Sequence, residues 1–464
     1  MAIPEPVGKQ QEVVCLGTKG HYVVLGTAGS GKTTMAIARA KYLTQPRLPG
    51  QGAVLLITFN KALMRYIRSV AGHLSPHITV ENYHLFARGY LNYRGLMSNA
   101  SIVSSAARTK LIATAVQEIS QRYEPHPFFE RNPKFFSDEI KWMSGQNIKD
   151  LPTYLDVRRV GRADANLKKT VRPLMWEVRS QYLANRAASN RIYDLDDIAA
   201  SVSLALDGDT TARKYRHVII DEGQDLSPEM IRSLVKVVPS EGSVTFFGDV
   251  AQQIYGRGMS FRDAGLKPAD VWKFSENYRN TRSIARLGLS ISKMPYYSGE
   301  TDMVEPTSPA ADGPKPTLVK CVDVDSEIKL ISRITKEHAK SRSVAILCRT
   351  HALISAIKPY LPENAVALRE ENDIWTGSSG IFFGTYHAAK GLEFDVVALP
   401  FVSKGMMPSA EDIEADGEDA FAQDGRLLYV GVTRARTDLI LTYSNEISTL
   451  LPNDPSLYVM VDDA

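Results

Sequence analysis

The sequence predicts an α/β fold, because short apolar runs bounded by turn residues alternate with helical stretches. The apolar runs occupy residues 22–25, 53–57, 217–220, 244–247, 344–347, 381–383, 396–399 and 438–443. Continuous apolar runs of this length are typical of parallel strands that are buried on both faces. The alanine-rich stretch TTMAIARAKYL, which follows Lys32, is typical of the helices between them. The alternation indicates doubly wound architecture with parallel sheets, and the two groups of strands indicate two α/β lobes.

A long strand-poor stretch divides the first group of strands. Residues 88–190 are mostly helical in pattern, so they are predicted to be an insert in the first lobe. The predicted domains are 1–87 for the first part of the first lobe, 88–190 for the insert, 191–275 for the second part of the first lobe and 276–464 for the second lobe.

Composition limits the class of protein. The chain has 464 residues, 44% of them hydrophobic and 23% charged, with a net charge of +3; such values are typical of a globular protein with a sizeable core. The N-terminal segment resembles no signal peptide, and no apolar run reaches the roughly 18 residues of a membrane span. Cys15, Cys321 and Cys348 have neither paired metal spacing nor a disulfide pattern. We therefore expect a cytoplasmic protein without membrane association.

A glycine-rich loop lies between a predicted strand and a predicted helix. The segment VVLGTAGSGKTT contains Gly26, four further residues and then Gly31-Lys32-Thr33. This is the P-loop pattern in the context that it requires, which makes a chance match a weak alternative. Backbone amides of such a loop wrap phosphates, the lysine neutralises their charge and the threonine ligates Mg²⁺. The residues expected to bind nucleotide are Gly26, Thr27, Ala28, Gly29, Ser30, Gly31, Lys32, Thr33 and Thr34.

Two acidic residues follow another predicted strand in HVIIDEGQD (217–225). Ligands bind at the carboxyl ends of strands in open α/β sheets. Asp221 is therefore expected to hold Mg²⁺ through a water molecule, and Glu222 to polarise the attacking water. An acidic pair alone would equally well end a strand in a turn.

With the P-loop, DEGQD resembles motif II of the UvrD/Rep branch of superfamily 1 helicases. The resemblance continues along nearly the whole chain in the order of that family. The further segments, in chain order, are ITFNKA (57–62), NYHLFARGY (82–90), DLDDI (194–198), FFGDVAQQIYG (246–256), ENYRNT (276–281), GTYHAAKGLEF (384–394) and LLYVGVTRAR (427–436). In the same order, they resemble motifs Ia and Ib, the acidic segment that re-enters the first lobe, and motifs III, IV, V and VI. The resemblance implies two RecA-like P-loop NTPase lobes, 1A and 2A, with the insert as 1B. It also implies ATP-driven 3′-to-5′ movement along single-stranded DNA.

The resemblance also implies contacts with ATP outside the P-loop. Gln10 would contact adenine, although Gln11 is an alternative. The other implied contacts are Gln252 and Arg279 with the γ-phosphate, Tyr278 with adenine, Glu393 with ribose, and Arg434 as an arginine finger.

A basic segment in the insert indicates contact with nucleic acid. Residues 154–172 include six basic and two acidic side chains, and basic groups neutralise phosphates; a solvated basic helix is the alternative. Aromatic residues near the resembling motifs would stack on bases, although an aromatic at a strand end is more often core. The candidate contacts are Thr58, Phe59, Asn60, Lys61, Tyr83, His84, Arg158, Arg159, Tyr255, Arg257, Arg349, Thr385 and His387.

The sequence departs from the family in three places. Thr34 stands where many members have arginine, and Arg257-Gly258-Met259 stands where Trp-Arg-Gly is usual. Only 33 residues (351–383) occupy the region in which the family commonly inserts its 2B domain. We therefore expect a linker or a small extension of lobe 2A there, since segments below about 40 residues rarely fold alone.

The sequence alone leaves several alternatives open. The main one is a DNA-stimulated ATPase that acts as a sensor or remodeller with a protein partner such as a nuclease. RNA could replace DNA as the track, that is, the nucleic acid along which the protein moves. A P-loop kinase or GTPase would leave the segments resembling motifs III to VI unexplained.

Overall fold

Parallel β-sheets form the centre of both halves of the chain. The computed structural model describes residues 5–27, 29–58, 61–70, 75–98, 101–157, 159, 167–249, 261–275, 280–297, 312–368 and 379–463. The helices are α1 Lys9–Val14, α2 Lys32–Leu43, α3 Lys61–Val70, α4 Tyr83–Tyr93, α5 Ser105–Ser120, α6 Pro133–Gln146, α7 Leu151–Asp156, α8 Arg172–Ala188, α9 Ile198–Asp207, α10 Pro228–Val237, α11 Arg282–Ser292, α12 Val324–His338, α13 His351–Ile357, α14 Ala410–Asp416 and α15 Glu418–Val432. The strands are β1 Gly20–Gly26, β2 Val54–Thr58, β3 Ile78–Asn82, β4 His217–Ile220, β5 Ser243–Gly248, β6 Val271–Phe274, β7 Thr317–Cys321, β8 Ser343–Cys348, β9 Val366–Ala367, β10 Gly380–Thr385, β11 Phe394–Leu399, β12 Ala435–Ser444 and β13 Val459–Asp463.

The first sheet has the strand order β3-β2-β4-β5-β1-β6, and its paired strands are parallel. The four predicted runs of the first lobe correspond to β1, β2, β4 and β5, although the run 53–57 begins one residue before β2. Strands β2, β4 and β5 are buried along their whole length, which explains why most of their residues are apolar. The apolar pattern does not predict β3 or β6, because ITVEN alternates between buried and half-buried positions and VWKF is largely exposed.

The second sheet has the order β13-β7-β12-β11-β8-β10-β9, again with parallel pairing. The four predicted runs of the second lobe lie within β8, β10, β11 and β12. The apolar pattern does not predict β7, because TLVKC carries an exposed lysine, or β13, because it is a half-exposed edge strand. The predicted α/β fold with two parallel sheets is therefore confirmed.

Helices α5 to α8 form the insert and have their own hydrophobic core, which includes Ile112, Met143 and Val178. The predicted start of the insert at residue 88 falls inside α4, whose Phe86 and Leu91 pack into the core of the first lobe. The structure therefore places the first helix of the insert at α5.

Ion pairs fix the insert to the first lobe where the chain returns from it. Arg108 Nε lies 2.6 Å from Asp194 Oδ2, and Arg186 Nη1 lies 2.6 Å from Asp197 Oδ2. These carboxylates belong to the acidic segment DLDDI, which leads directly into α9.

The described elements of the stretch 351–383 belong to the second lobe. Helix α13 packs against β8 and β10, while β9 and β10 pair within the second sheet; residues 369–378 lie outside the described residues. Within the described part of the chain, no helix is both long and apolar enough to cross a membrane.

Candidate active site

The P-loop connects β1 to α2 at the carboxyl edge of the first sheet, the edge at which open α/β sheets bind ligands. Gly31 has a φ of +83°, a conformation that favours glycine, and a Cβ there would lie 2.9 Å from Gln10 Nε2. Gln10 is buried and its Nε2 donates to Ser30 O at 3.1 Å, whereas Gln11 is exposed. Of the two candidate glutamines, Gln10 is thus the one that contacts the phosphate loop.

Lys32 is buried within the P-loop. Its Nζ donates to Gly26 O at 2.7 Å and to Thr27 O at 2.8 Å. It also lies 3.4 Å from Asp249 Oδ2, at the end of β5. The ammonium is therefore held among the loop carbonyls at the place where a phosphate counter-charge is needed.

Thr33 and Asp221 come together although 188 positions separate them in sequence. Thr33 Oγ1 donates to Asp221 Oδ2 at 2.8 Å. Burial, with the neighbouring Glu222 carboxylate, raises the pKa of Asp221 to about 7. A hydroxyl and a carboxylate side by side are the hard oxygen ligands that Mg²⁺ prefers beside nucleotide phosphates. The donor set thus fits the metal expected here.

Glu222 has an unusual backbone conformation, with φ +53° and ψ 39°. This left-handed conformation costs a non-glycine residue about 1–2 kcal/mol, and such residues concentrate at functional sites. The carboxylate accepts a hydrogen bond from the Gln224 amide. Burial raises the pKa of Glu222, but the charges of Lys32, Lys390 and Arg434 outweigh it, so that the pKa is lowered.

The second lobe reaches this site through the loop after β10. Lys390 Nζ lies 2.6 Å from Asp225 Oδ1, and the exposed fractions of the two side chains are only 3% and 0%. The next residue, Gly391, has a φ of +80°, and a Cβ there would lie 2.7 Å from Leu63 Cδ2 of the first lobe. Since a buried charge needs a partner, this ion pair ties the second lobe to the segment that carries Glu222.

Arg434 lies between α15 and β12, and its side chain is 1% exposed. Its Nε donates to Val430 O at 2.9 Å and its Nη1 to Leu392 O at 3.2 Å. Its charge helps to lower the pKa of Glu222. The guanidinium is therefore held by its own lobe within electrostatic range of the carboxylate expected to act as the base.

For the other described residues that are expected to bind nucleotide, the structure gives the backbone conformation or the burial of the residue. Gly29 has a φ of +80°, Ser30 is buried, and Thr34 and Glu393 are half-buried. Ala28, Gln252, Tyr278 and Arg279 lie outside the described residues.

The structure corrects three nucleic-acid candidates. Tyr83 is 1% exposed and its hydroxyl lies 2.7 Å from Ser233 Oγ, so its ring is core and not a stacking platform. Arg159 Nε donates to Glu139 Oε1 at 2.8 Å inside the core of the insert. A fully buried ion pair of this kind is not available to phosphate.

Arg349 is the third residue whose predicted contact with nucleic acid is corrected, because its guanidinium is bound by two carboxylates. Its Nε lies 2.6 Å from Asp424 Oδ1, and its Nη2 lies 3.1 Å from Asp412 Oδ2. Asp412 also lies 3.3 Å from Lys134 of the insert. Arg349 is thus part of an ion-pair network between the insert and the second lobe.

The other described candidates for contact with nucleic acid lie at or just after the carboxyl ends of β2, β3 and β10. Thr58 ends β2, and its buried hydroxyl has no hydrogen-bond partner among the described residues. Thr385 Oγ1 accepts from Ala388 N at 3.2 Å. His84 and His387 are half-buried, and burial together with nearby cations lowers the pKa of His387 to about 4. Lys61 begins α3, and the candidates outside the described residues are Phe59, Asn60, Arg158, Tyr255 and Arg257.

The structure places at the site several residues to which the sequence motifs assign no role. Gln224 and Asp225 stand within the quoted segment DEGQD, and Lys390 stands within GTYHAAKGLEF. Each motif was recognised, but a contact between positions 225 and 390 cannot be inferred from spacing. Asp249 follows the predicted strand 244–247, and its position there could have indicated it.

The fold and this site define a P-loop nucleotide-binding protein with two RecA-like lobes. The sequence pattern of the UvrD/REP helicase N-terminal domain matches residues 7–271, and that of the UvrD-like helicase C-terminal domain matches residues 364–446. The first match alone covers more than half of the chain, so the chain belongs to the UvrD/Rep helicase family.

Individual relatives are similar over different shares of the chain. DNA helicase II of Rickettsia typhi is 31% identical over 137 residues, which are 29% of this chain and 20% of that protein. UvrD1 of Mycobacterium leprae is 26% identical over 302 residues, 59% of this chain and 36% of that protein. UvrD2 of Mycobacterium tuberculosis is 21% identical over 551 aligned positions, 94% of this chain and 78% of that protein. The chain thus spans about a fifth of the first relative.

A solved C-terminal domain of a possible DNA helicase from Lactobacillus plantarum is 20% identical, over 39% of this chain and 97% of that domain. Its TM-score is 0.28, so it adds nothing on function.

Proposed function

We propose that this protein is an ATP-dependent translocase of single-stranded DNA with 3′-to-5′ polarity. The observation that carries the proposal is the buried Lys390–Asp225 ion pair, which joins the second lobe to the P-loop lobe beside Glu222. A site shared between two lobes lets the state of the nucleotide change the relative position of the lobes. Membership of the helicase family supports DNA as the track.

The residues of the site divide the chemistry of hydrolysis among them. Lys32 and the P-loop amides hold the phosphates, and Gln10 contacts the adenine. Thr33 and Asp221 would hold Mg²⁺, which supplies positive charge to the phosphate oxygens. Glu222 accepts the proton of the attacking water, while Arg279 and Arg434 stabilise the charge of the transition state from the second lobe. The polarity and the coupling of hydrolysis to movement rest on the family resemblance.

The first experiment tests the track. We expect the ATPase rate of the purified protein to rise strongly with single-stranded DNA, and less with duplex DNA or RNA, when the three are compared at equal nucleotide concentration. Equal stimulation by RNA would contradict the choice of DNA. The absence of stimulation by any of them would contradict a nucleic-acid motor altogether.

Translocation and unwinding should separate in this chain. The described elements of 351–383 complete the sheet of the second lobe, so a separate 2B domain that grips duplex is not expected. We predict displacement of streptavidin from a biotinylated single strand, but weak separation of a long tailed duplex. Robust unwinding of long duplexes by the purified monomer would contradict this prediction. Stimulated ATPase without streptavidin displacement would instead favour the sensor or remodeller that acts with a partner.

Exposed lysines of the insert are the better test of phosphate contacts. Lys168 and Lys169 are exposed, unlike Arg159. Reversing both lysines to glutamate should weaken binding to every single-strand sequence alike, because phosphate contacts carry no base information. The log–log salt slope should fall by roughly 0.7 for each phosphate that the variant no longer neutralises. Fluorescence anisotropy over a salt series measures both quantities.

The control is Lys110→Glu with Lys149→Glu, which reverses two exposed lysines elsewhere in the insert. An equal change in slope in this control would mean that general charge, and not a defined phosphate site, is responsible. Arg159→Glu should act differently, since breaking its buried pair with Glu139 costs about 3–5 kcal/mol. Its effect should appear in the melting temperature.

A further inference from the structure

Arg39 lies on α2, and its fully buried guanidinium is surrounded by neutral oxygen acceptors. Its side chain is 0% exposed, and burial lowers its pKa to about 10. It donates from Nε to Thr245 Oγ1 at 2.7 Å, from Nη1 to Val14 O at 3.1 Å and to Leu16 O at 2.8 Å, and from Nη2 to Gly17 O at 2.8 Å. Burying a cation without a carboxylate partner is costly, so the directional fork of hydrogen bonds must offset that cost.

These hydrogen bonds join three elements of the nucleotide site. Arg39 stands on α2, the helix that begins with Lys32 and Thr33. Its carbonyl acceptors belong to the end of α1 and the residues just after it. Thr245 lies on β5, which leads to Asp249 and its contact with Lys32. The planar guanidinium therefore sets the position of α1 relative to the phosphate-binding elements.

Helix α1 depends on such tertiary contacts because it has only six residues. Isolated helices shorter than about 12 residues are marginal in water. Gln10 lies one turn before Val14 on this helix, and its amide is bound to Ser30 O at 3.1 Å. Hydrogen bonds of this kind break once the atoms separate beyond about 3.5 Å. A small shift of α1 would thus move the Gln10 amide away from its place beside the P-loop.

We propose that Arg39 is a positioning residue for base selection, holding α1 so that the Gln10 amide distinguishes adenine from guanine nucleotides. This inference rests on the proposed contact between Gln10 and the base. A glutamine amide offers one donor and one acceptor, which match the N7 acceptor and N6 donor of adenine; guanine presents two acceptors there. The phosphates are held by α2 and the loop, so loss of Arg39 should affect selectivity more than chemistry.

The test compares kcat and KM for ATP and GTP in the full-length protein with saturating single-stranded DNA. Arg39→Lys keeps the charge but loses the planar fork. We expect its ratio of kcat/KM for ATP over GTP to fall about tenfold, equivalent to roughly 1.4 kcal/mol. The fall should arise in the KM for ATP, with kcat changed less than about threefold. Gln10→Ala should lower the same ratio, and the double variant should be no worse than Gln10→Ala alone.

The matched control is Arg172→Lys in the insert. Arg172 is also buried, and its Nη1 donates to the carbonyls of Tyr154, Leu155 and Val157. This variant should leave the ATP/GTP ratio unchanged. If Arg39→Lys does not melt cooperatively, Thr245→Val removes only the Nε acceptor and should lower the same ratio to a smaller extent.

An equal loss of kcat/KM for ATP and GTP in Arg39→Lys would overturn the proposal, since a purely structural role predicts that result. An unchanged ratio in Gln10→Ala would overturn it at its first step. If the proposed function itself is wrong, the result is different: the ATPase rate of the protein without any substitution will not respond to nucleic acid.

Discussion

Arg434→Ala should reduce kcat for ATP hydrolysis by about 10³- to 10⁵-fold, the range observed when an arginine finger is absent. The affinity for ATP should change far less, because the contact strengthens only in the transition state. Phosphate release under saturating ATP and single-stranded DNA measures kcat, and equilibrium binding of a fluorescent ATP analogue measures affinity. Arg434→Lys should also be impaired, since a point charge does not replace a planar fork on phosphate.

Arg436→Ala provides the matched control for this prediction. Arg436 is the second residue of β12, and its half-exposed side chain lies 3.6 Å from Asp395. We expect nearly normal turnover from this variant, since exposed ion pairs contribute little to stability. Because Arg434 also donates to carbonyls of its own lobe, its variants need a melting curve. Normal hydrolysis by a folded Arg434→Ala protein would contradict the two-lobe site.

The strands that the sequence predicted are those that contain at least four consecutive buried residues. β4 and β5 are buried at every position, and burial on both faces of a parallel sheet favours mostly apolar residues. β6 and β13 could not be predicted in this way, since they are edge strands with exposed side chains. A continuous apolar run indicates a strand that is buried on both faces, and an edge strand of the same sheet lacks such a run.

The site was predictable where neighbours in sequence carry the chemistry, as in the P-loop and the Asp221–Glu222 pair. It was not predictable where burial decides what a polar residue does. Tyr83 and Arg159 have the right residue types for contacts with nucleic acid, yet the structure gives them Ser233 and Glu139 as partners. The Lys390–Asp225 pair was missed for a related reason, since only the packing of two lobes brings these charges together.

Glu222→Gln should separate ATP binding from hydrolysis. The amide cannot accept the proton of the attacking water, and losing a general base typically costs about 10²- to 10⁴-fold in rate. Gln224 donates a hydrogen bond to the carboxylate, and an amide oxygen at position 222 can accept the same bond, so the local structure should persist. ATP affinity should therefore be retained. Lys32→Ala should instead weaken binding and turnover together, because it removes the counter-charge of the phosphates.

A carboxylate of similar burial serves as the control for Glu222→Gln. Glu229 is 1% exposed, lies on α10 just after the site and pairs with Arg232 at 2.6 Å. Glu229→Gln removes a buried negative charge from the same segment but leaves the nucleotide site intact, so its kcat should stay close to that of the unaltered protein. Single-turnover hydrolysis with excess protein then isolates the chemical step from product release. A near-normal single-turnover rate for Glu222→Gln would mean that another group activates the water.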